Sequence, residues 1–317
     1  MTKGVVVLKE THFFHRMPDS SLHSIYTWKP NDGIRTIGVV QLVHGSCEHS
    51  ARYRDFAHYL TNQGYIVISN DLRGHGQTAK NVNDLGYFAD DKGWETLVAD
   101  LKEVNRSIKT AYPDQPVFMI GHSMGSFLAR HYSLVNGDTI DGLVAIGTSH
   151  QSKLELQFGI LAAQLGMKWK GKKKTGHFLN KFTYEVFNKG INPARTKSDW
   201  ITRNEQIVDE FIADERCGFI FSHSAFRDMF TGLLFITNDQ NIQKGPTHLP
   251  IYLLSGLEDP VSSKGKQVKK AYQAYKNYGY EHVSMKLYPD MRHEILNELG
   301  NKTVYQDIVN WLHEYTN

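Results

Sequence analysis

The chain has 317 residues, of which 40% are hydrophobic and 22% are charged, so it can bury a sizeable core and does not have the composition of a disordered protein. This length leaves room for one large domain with an insertion, or for two ordinary domains. The net charge of +3 is too small and too mixed in sign for a dedicated nucleic-acid binder, so we expect no nucleic-acid partner.

The cysteines and the N-terminus indicate in which cellular compartment the protein is expected. Cys47 and Cys217 are the only cysteines, too few for a disulfide framework and without a Cys/His ligand motif, so we expect a reducing compartment and no structural zinc. The N-terminus lacks the apolar stretch of a secretion signal, and no run of about 18 uncharged apolar residues occurs. These features predict a cytoplasmic protein whose contact with membranes, if any, is peripheral.

The first half of the chain alternates apolar runs with segments of helical periodicity. The pattern predicts strands at residues 5–11, 25–28, 37–43, 65–69, 117–120 and 142–146, and helices at residues 53–60, 94–112 and 124–136. The strands from residue 37 onward are apolar on both faces, as strands of a parallel sheet are. Such alternation predicts a mostly parallel, doubly wound α/β sheet with helices on both faces.

The alternation breaks near residue 150 and resumes near residue 248. Strands are predicted again at 251–255 and 282–288, with helices at 263–278 and 304–315. We therefore divide the chain into a first core part at 1–149, an inserted helical cap or lid at 150–247, and a second core part at 248–317.

The sequence Gly121-His122-Ser123-Met124-Gly125 has the form G-x-S-x-G. It closes a predicted strand and opens a predicted helix, which is the context that a nucleophile elbow requires. Glycines two residues before and after Ser123 allow a sharp turn that exposes the serine hydroxyl above the sheet. Ser123 is therefore the candidate nucleophile.

A nucleophilic serine needs a base and an orienting carboxylate, which in this architecture follow it in the order Asp or Glu, then His. Asp259 follows the strand at 251–255, and His293 follows the strand at 282–288. Both lie where the carboxyl ends of strands place the site of an α/β sheet. Glu258 is the rival for the carboxylate, and Asp239 is disfavoured because it lies in the insertion.

A tetrahedral oxyanion needs two backbone N–H donors, one after the nucleophile and one in the loop after an earlier strand. Met124 supplies the first donor, and Ser46 in the loop after the strand at 37–43 supplies the second. Cys47 is a poor rival nucleophile because it has no elbow and no evident base.

With these motifs assembled, the chain resembles the α/β-hydrolase superfamily, and within it the monoacylglycerol lipase and lysophospholipase group. The resemblance spans nearly the whole chain and is carried by five motifs: His44-Gly45-x-x-Glu48-His49 with Arg52-Tyr53, Asp71-x-Arg73-Gly74-His75-Gly76, Gly121-His122-Ser123-Met124-Gly125, Asp259-Pro260-Val261, and His293-Glu294-x-x-Asn297-Glu298. It implies an α/β-hydrolase fold, the same Ser123, Asp259 and His293 triad, the same two oxyanion donors, and hydrolysis of a carboxylic ester without a metal or organic cofactor. Proline iminopeptidases share the fold, but their usual His-Gly-Gly-Pro-Gly loop is missing here.

The insertion carries apolar and basic features. Phe158 and Leu161 lie on the apolar face of a predicted helix at 151–167, and Phe226 belongs to a phenylalanine-rich segment; we expect these three residues to line a substrate pocket. The same face is also compatible with a cap helix that packs on its own domain. Five lysines follow within Lys168–Lys174, and two interpretations stay open for them: docking on an anionic membrane, or a solvated basic loop.

The sequence thus predicts a serine hydrolase that cleaves lipid-like esters such as monoacylglycerols or lysophospholipids through an acyl-enzyme. A short-chain carboxylesterase or a thioesterase is the alternative within the same chemistry. From another class, the alternative is a catalytically silent hydrolase fold that binds a lipid or a protein.

Overall fold

The computed structural model describes residues 9–316, and its elements follow the predicted alternation closely. The strands are β1 (Lys9–Arg16), β2 (Leu22–Lys29), β3 (Gly38–Val43), β4 (Tyr65–Asn70), β5 (Val117–His122), β6 (Gly142–Ile146), β7 (Ile251–Gly256) and β8 (Val283–Tyr288). The helices are α1 (Arg54–Asn62), α2 (Gly93–Ala111), α3 (Met124–Asn136), α4 (Lys153–Lys170), α5 (His177–Thr183), α6 (Glu205–Ala213), α7 (His223–Ile236), α8 (Asp239–Lys244), α9 (Lys266–Asn277) and α10 (Asn301–Glu314). The predicted first strand began at residue 5, and its first four residues lie outside the described part.

The strands form one sheet in the order β1-β2-β4-β3-β5-β6-β7-β8. Strand β2 pairs antiparallel with both β1 and β4, whereas the strands from β3 to β8 are parallel. Parallel strands place all of their carboxyl ends at one edge, so the loops after β3, β5, β7 and β8 meet there. The mostly parallel α/β sheet expected from the sequence is therefore confirmed.

Successive residues of the central strands enter two separate cores, because side chains alternate between the faces of a strand. On β5, Val117 and Met119 join the core under α2, α3 and α9, whereas Phe118 and Ile120 join the core under α1 and α10. Burial on both faces explains why these strands appear in the sequence as continuous apolar runs.

Helices α4 to α8 lie between β6 and β7 in the chain, in the segment predicted as an insertion. Helix α4 packs along α7, and α7 in turn packs on α2 and α3 beneath it. The helix α4 also runs three residues further than the apolar periodicity indicated, so that Lys168 and Lys170 form its last turn. Within residues 9–316, no helix combines the length and the apolar composition that crossing a bilayer requires.

Candidate active site

Ser123 lies at the sharp turn between β5 and α3. Its backbone has φ of 51° and ψ of −122°, a conformation that residues other than glycine rarely adopt. Its N–H donates to the Ile146 carbonyl at 2.9 Å. A Cβ on Gly121 would come within 2.3 Å of the Gly125 carbonyl oxygen, and a Cβ on Gly125 would come within 2.2 Å of the Val43 carbonyl oxygen. The flanking glycines therefore let β3, β5 and α3 approach closely enough to form the turn.

His293 and Asp259 are in direct contact. His293 Nδ1 and Asp259 Oδ1 lie 3.0 Å apart, and both side chains are almost fully buried. Asp259 also accepts hydrogen bonds from the Ser255 hydroxyl at 2.8 Å and from the Val261 N–H at 2.8 Å. Burial alone would raise the pKa of Asp259, but His293 and these hydrogen bonds hold the pKa below its ordinary value.

The other nitrogen of His293, Nε2, has no hydrogen-bond partner among the described residues. His293 and Ser123 line the same cavity of about 320 Å³. The geometry thus leaves Nε2 as the imidazole nitrogen that can exchange a proton with a group in that cavity. The rival carboxylate, Glu258, instead forms an exposed ion pair with Lys264 at 2.9 Å, and Asp239 pairs with Lys153 in the insertion.

The two expected oxyanion donors lie beside Ser123. Ser46 and Met124 line the same cavity of about 550 Å³ as Ser123 does. A Cβ on Gly45 would lie 3.2 Å from the Ser123 Cβ, which shows how closely the loop after β3 passes the serine. Met124 opens α3, and the first N–H groups of a helix have no partner within the helix.

A buried polar network stands behind this loop. Glu48 Oε1 accepts hydrogen bonds from the Gly45 N–H at 2.6 Å and from the Tyr53 hydroxyl at 2.7 Å, and Arg52 pairs with the other oxygen of Glu48. Arg52 also forms two hydrogen bonds of 2.8 Å with Glu294, the residue after His293. Although burial alone would raise the pKa of Glu48, Arg52 and its other neighbours hold the pKa well below the ordinary value.

The two cavities that meet at Ser123 differ in character. The larger one has apolar walls from α3, α4, α5 and α7: Phe127, Leu156, Phe158, Phe178, Leu179, Phe182, Met229, Phe230 and Leu233. The smaller one has polar residues in its wall beside apolar ones: Asn180, Glu185, Lys197 and Ser198 together with Trp200, Ile201, Phe211, Phe219 and Ile220. The Trp200 ring lies 5.2 Å from the His293 ring, and Tyr184 lines both cavities.

The three expected pocket residues have different places. Phe158 lines the larger cavity. Leu161 lies on α4 with 51% of its surface exposed, and Phe226 on α7 is fully buried, with its ring 5.8 Å from the Phe221 ring. Neither Leu161 nor Phe226 is among the lining residues of a cavity that contains Ser123. Helical spacing did not reveal which part of the apolar face of α4 borders the cavity, and a segment rich in phenylalanine does not reveal which of its rings are fully buried. Sequence reasoning missed Tyr184 and Trp200, which lie in irregular segments without a periodic signal.

Comparison with known proteins agrees with this geometry. The profile of the Hydrolase_4 family, described as serine aminopeptidase, S33, matches residues 35–300. The chain is 24% identical to the monoglyceride lipase of Rattus norvegicus, over 90% of this chain and 84% of that protein. It is 25% identical to an uncharacterised abhydrolase domain-containing protein of Dictyostelium discoideum, over 93% of this chain, but it spans only 28% of that protein.

A solved structure is similar over almost its whole length. The carboxyl esterase of Bacillus coagulans, solved in complex with glycerol, superposes with a TM-score of 0.89 and 26% identity, over 97% of this chain and 99% of that one. The monoglyceride lipase and the carboxyl esterase are ester hydrolases by name, and the resemblance to monoglyceride lipases is confirmed. Because the family profile covers most of the chain, the chain belongs to the Hydrolase_4 family of serine hydrolases within the α/β-hydrolase superfamily.

Proposed function

We propose that this chain hydrolyses the ester bond of a monoacylglycerol-like lipid through an acyl-enzyme formed on Ser123. The observation that carries the proposal is the meeting of two cavities at that serine: one of about 550 Å³ with an apolar wall, and one of about 320 Å³ whose wall includes the polar side chains of Asn180, Glu185, Lys197 and Ser198. An ester with an acyl chain on one side and a polar alcohol on the other fits such a pair of cavities.

The proposed chemistry uses the groups described above. His293 Nε2 takes the proton of the Ser123 hydroxyl, and the serine oxygen attacks the ester carbonyl. The N–H groups of Ser46 and Met124 donate to the oxyanion, and Asp259 holds the imidazole in the required tautomer. The alcohol leaves with the proton from His293, and water then cleaves the acyl-enzyme by the same route.

Activity of the Ser123→Ala variant tests the proposal. We expect kcat to fall by roughly 10⁴ or more, as in other enzymes that lose a triad member. The measurement uses p-nitrophenyl esters of two to sixteen carbons, a monoacylglycerol and a lysophospholipid, with Ser107→Ala of α2 as the matched control. A fluorophosphonate probe should label the wild type and the control but not Ser123→Ala.

The same panel separates the alternatives. Highest kcat/KM on two-carbon esters would favour a short-chain esterase, and an added acyl thioester tests the thioesterase. An aminoacyl p-nitroanilide tests the aminopeptidase activity that the family description names. Absence of both turnover and probe labelling in the folded wild type would leave only a silent binding module and would refute the proposal.

We further propose that residues 150–247 act as the cap and that α4 brings it to anionic membranes. Seven large apolar side chains of α4 and α5 are exposed: Leu154, Phe158, Leu161, Leu165, Trp169, Phe178 and Phe182. Lys168 and Lys170 flank Trp169, which is 75% exposed, at the end of the helix. Of the remaining lysines, Lys172 donates to the Asp90 carbonyl at 3.1 Å and Lys173 lies over the Tyr87 ring. These two side chains therefore contact the loop that precedes α2.

Liposome binding tests the membrane proposal. The variant with Lys168, Lys170 and Lys174 replaced by alanine should bind vesicles rich in anionic lipid up to about 100-fold more weakly at low salt, because each lysine near such a surface contributes about 1 kcal/mol. A variant with Lys266, Lys269 and Lys270 of α9 replaced loses the same charge and serves as the control. Equal weakening in both variants, or none in either, would contradict a role for the end of α4.

A further inference from the structure

Three potential metal ligands from distant parts of the chain meet beside the loop that carries Ser46. They are His49, Asp214 and Cys217, whose ligand atoms all lie within 4.8 Å of one another. His49 Nε2 and Asp214 Oδ2 are 2.8 Å apart although 165 positions separate them in the sequence. This separation explains why the residue pattern alone indicated no zinc site.

We propose that His49, Asp214 and Cys217 form a zinc-binding site that joins the loop after β3 to the cap segment before α7. Zinc prefers tetrahedral sites built from imidazole, thiolate and carboxylate ligands, with bonds of about 2.0–2.3 Å, which sets ligand atoms roughly 3.5 Å apart. His49 Nε2 and Asp214 Oδ2 are 2.8 Å apart, and the ligand atoms of all three residues lie within 4.8 Å of one another, so side-chain shifts on the order of 1 Å reach that spacing. Water fills the fourth position, as in zinc sites with three protein ligands.

Backbone hydrogen bonds hold the ligands in place. Asp214 Oδ1 accepts from the Arg216 N–H at 2.8 Å, and the Cys217 N–H donates to the Asp214 carbonyl at 3.0 Å, so the two cap ligands lie on one tight turn. The Gly218 N–H donates to the Cys47 carbonyl at 2.9 Å. This hydrogen bond holds the turn of Asp214 and Cys217 against the loop after β3, which also carries His49. The ligands are therefore arranged before any ion binds, which lowers the entropic cost of binding.

The surroundings allow an ion to enter. His49, Asp214 and Arg216 line an open cavity of about 440 Å³, and the side chains of His49 and Asp214 are 14% and 36% exposed. The Arg216 guanidinium donates to the carbonyls of Gly76 and Ala79. The charge of nearby Arg52 is balanced by Glu48 and Glu294. On binding, the Cys217 thiol releases its proton to solvent and the thiolate sulfur binds the ion.

Direct titration with Zn²⁺ tests the site and does not depend on the proposed function, because its measured quantity is metal binding. Reduced, EDTA-treated and desalted protein is titrated in competition with a chromophoric chelator. We expect one equivalent of Zn²⁺ to bind the wild type, and the Cys217→Ser and Asp214→Asn variants to bind more than about tenfold more weakly. His248→Ala removes an exposed histidine paired with Asp138 and should bind as the wild type does.

Cobalt substitution identifies the sulfur ligand. Co²⁺ added to the wild type should give the near-ultraviolet absorption of a thiolate-to-cobalt transition, and Cys217→Ser should not. Cys47→Ser should keep this absorption, because Cys47 is not a member of the cluster. Equal Zn²⁺ affinity in the wild type and both ligand variants, absence of stoichiometric binding, or a band lost in Cys47→Ser but kept in Cys217→Ser would overturn the proposal.

Discussion

The carboxylate of Asp259 is fully buried and receives hydrogen bonds from Ser255, Val261 and His293. Because one partner is the Nδ1–H of the imidazole, the carboxylate fixes the tautomer in which Nε2 is the free acceptor. A group with a pKa held below its ordinary value stabilises the folded state at neutral pH. This contribution is complete above the ordinary aspartate pKa of about 3.9, and it is lost as the pH falls through the lower folded value.

The Asp259→Asn variant should therefore fold but lose activity. An amide of the same shape donates rather than accepts toward Nδ1 and favours the wrong tautomer, so we expect kcat to fall by about 10⁴. Steady-state kinetics on the best ester of the panel measures the effect. Asp239→Asn, in the exposed pair with Lys153, should keep the wild-type kcat; a similar loss in both variants would argue against a specific role of Asp259.

At the scale of elements, Arg52 joins two loops that carry different parts of the site. Its guanidinium contacts Glu48 in the loop after β3 and Glu294 in the loop after β8. All three side chains are nearly buried, with exposed fractions of 11%, 3% and 5%. The loop of Ser46 and the loop of His293 are therefore held together by one cation between two carboxylates.

Removing that cation should be costly. The Arg52→Met variant leaves two buried carboxylates without their partner, so we expect the free energy of unfolding to fall by about 3–5 kcal/mol, together with kcat/KM. Urea unfolding and ester kinetics measure the two effects, and adding Glu294→Gln should restore part of the stability. Lys153→Met, which breaks an exposed pair, should change stability by less than about 1 kcal/mol. Equal effects of the two single substitutions would contradict the role assigned to Arg52.

The predictability of each element follows from its environment. Helix α3 and strand β6 have the bounds that the sequence predicted, because burial on the central sheet leaves a continuous apolar pattern. Helices α5, α6 and α8 are short, with nine residues or fewer, and they were not predicted, since so few turns give little periodicity. The carboxyl ends of the parallel strands carry Asp259, which contacts His293, and Ser123, which lines one cavity with His293, so the strand pattern suffices to propose this group. Trp200 and Cys217 lie instead in irregular loops between β6 and α7, whose course no local pattern encodes.

At the scale of the whole molecule, several buried histidines stay neutral in the fold. Burial lowers the pKa of His23, His75 and His150 to about 3 and that of His131 to about 4. In the unfolded chain these groups take up a proton near pH 6.5, so the unfolded state binds more protons as the pH falls below that value. Stability is therefore lost on acidification. Burial also lowers the pKa of His44 and of His58. His122 acts in the opposite direction, because Glu48 raises its pKa despite burial, but it is one group against six.

We expect the free energy of unfolding to decrease by several kcal/mol between pH 7.5 and pH 5.5. At pH 5.5, which is about one unit below the ordinary histidine pKa, each histidine that stays neutral in the fold lowers the free energy of unfolding by about 1.4 kcal/mol. Urea unfolding at the two pH values measures this change. In His23→Leu the substitution removes a ring that has no hydrogen bond among the described residues. The decrease in the free energy of unfolding between the two pH values should then be smaller by about 1.4 kcal/mol, the contribution of one histidine. His248→Gln alters a histidine that is 72% exposed and should leave the change as it is; no difference between the two variants would refute the explanation.

The position of α7 limits how this protein can be shortened. A Cβ on Gly232 would come within 1.9 Å of the Trp94 ring, and Arg130 donates to the Ile236 carbonyl, so α7 is packed onto α2 and α3 as firmly as a helix of the central layers. Excision of the entire segment 150–247 would uncover Trp94 and the apolar side of α3 and yield an insoluble remnant. A minimal version has to retain α7 and α8 and close the gap left by α4 to α6 with a short linker.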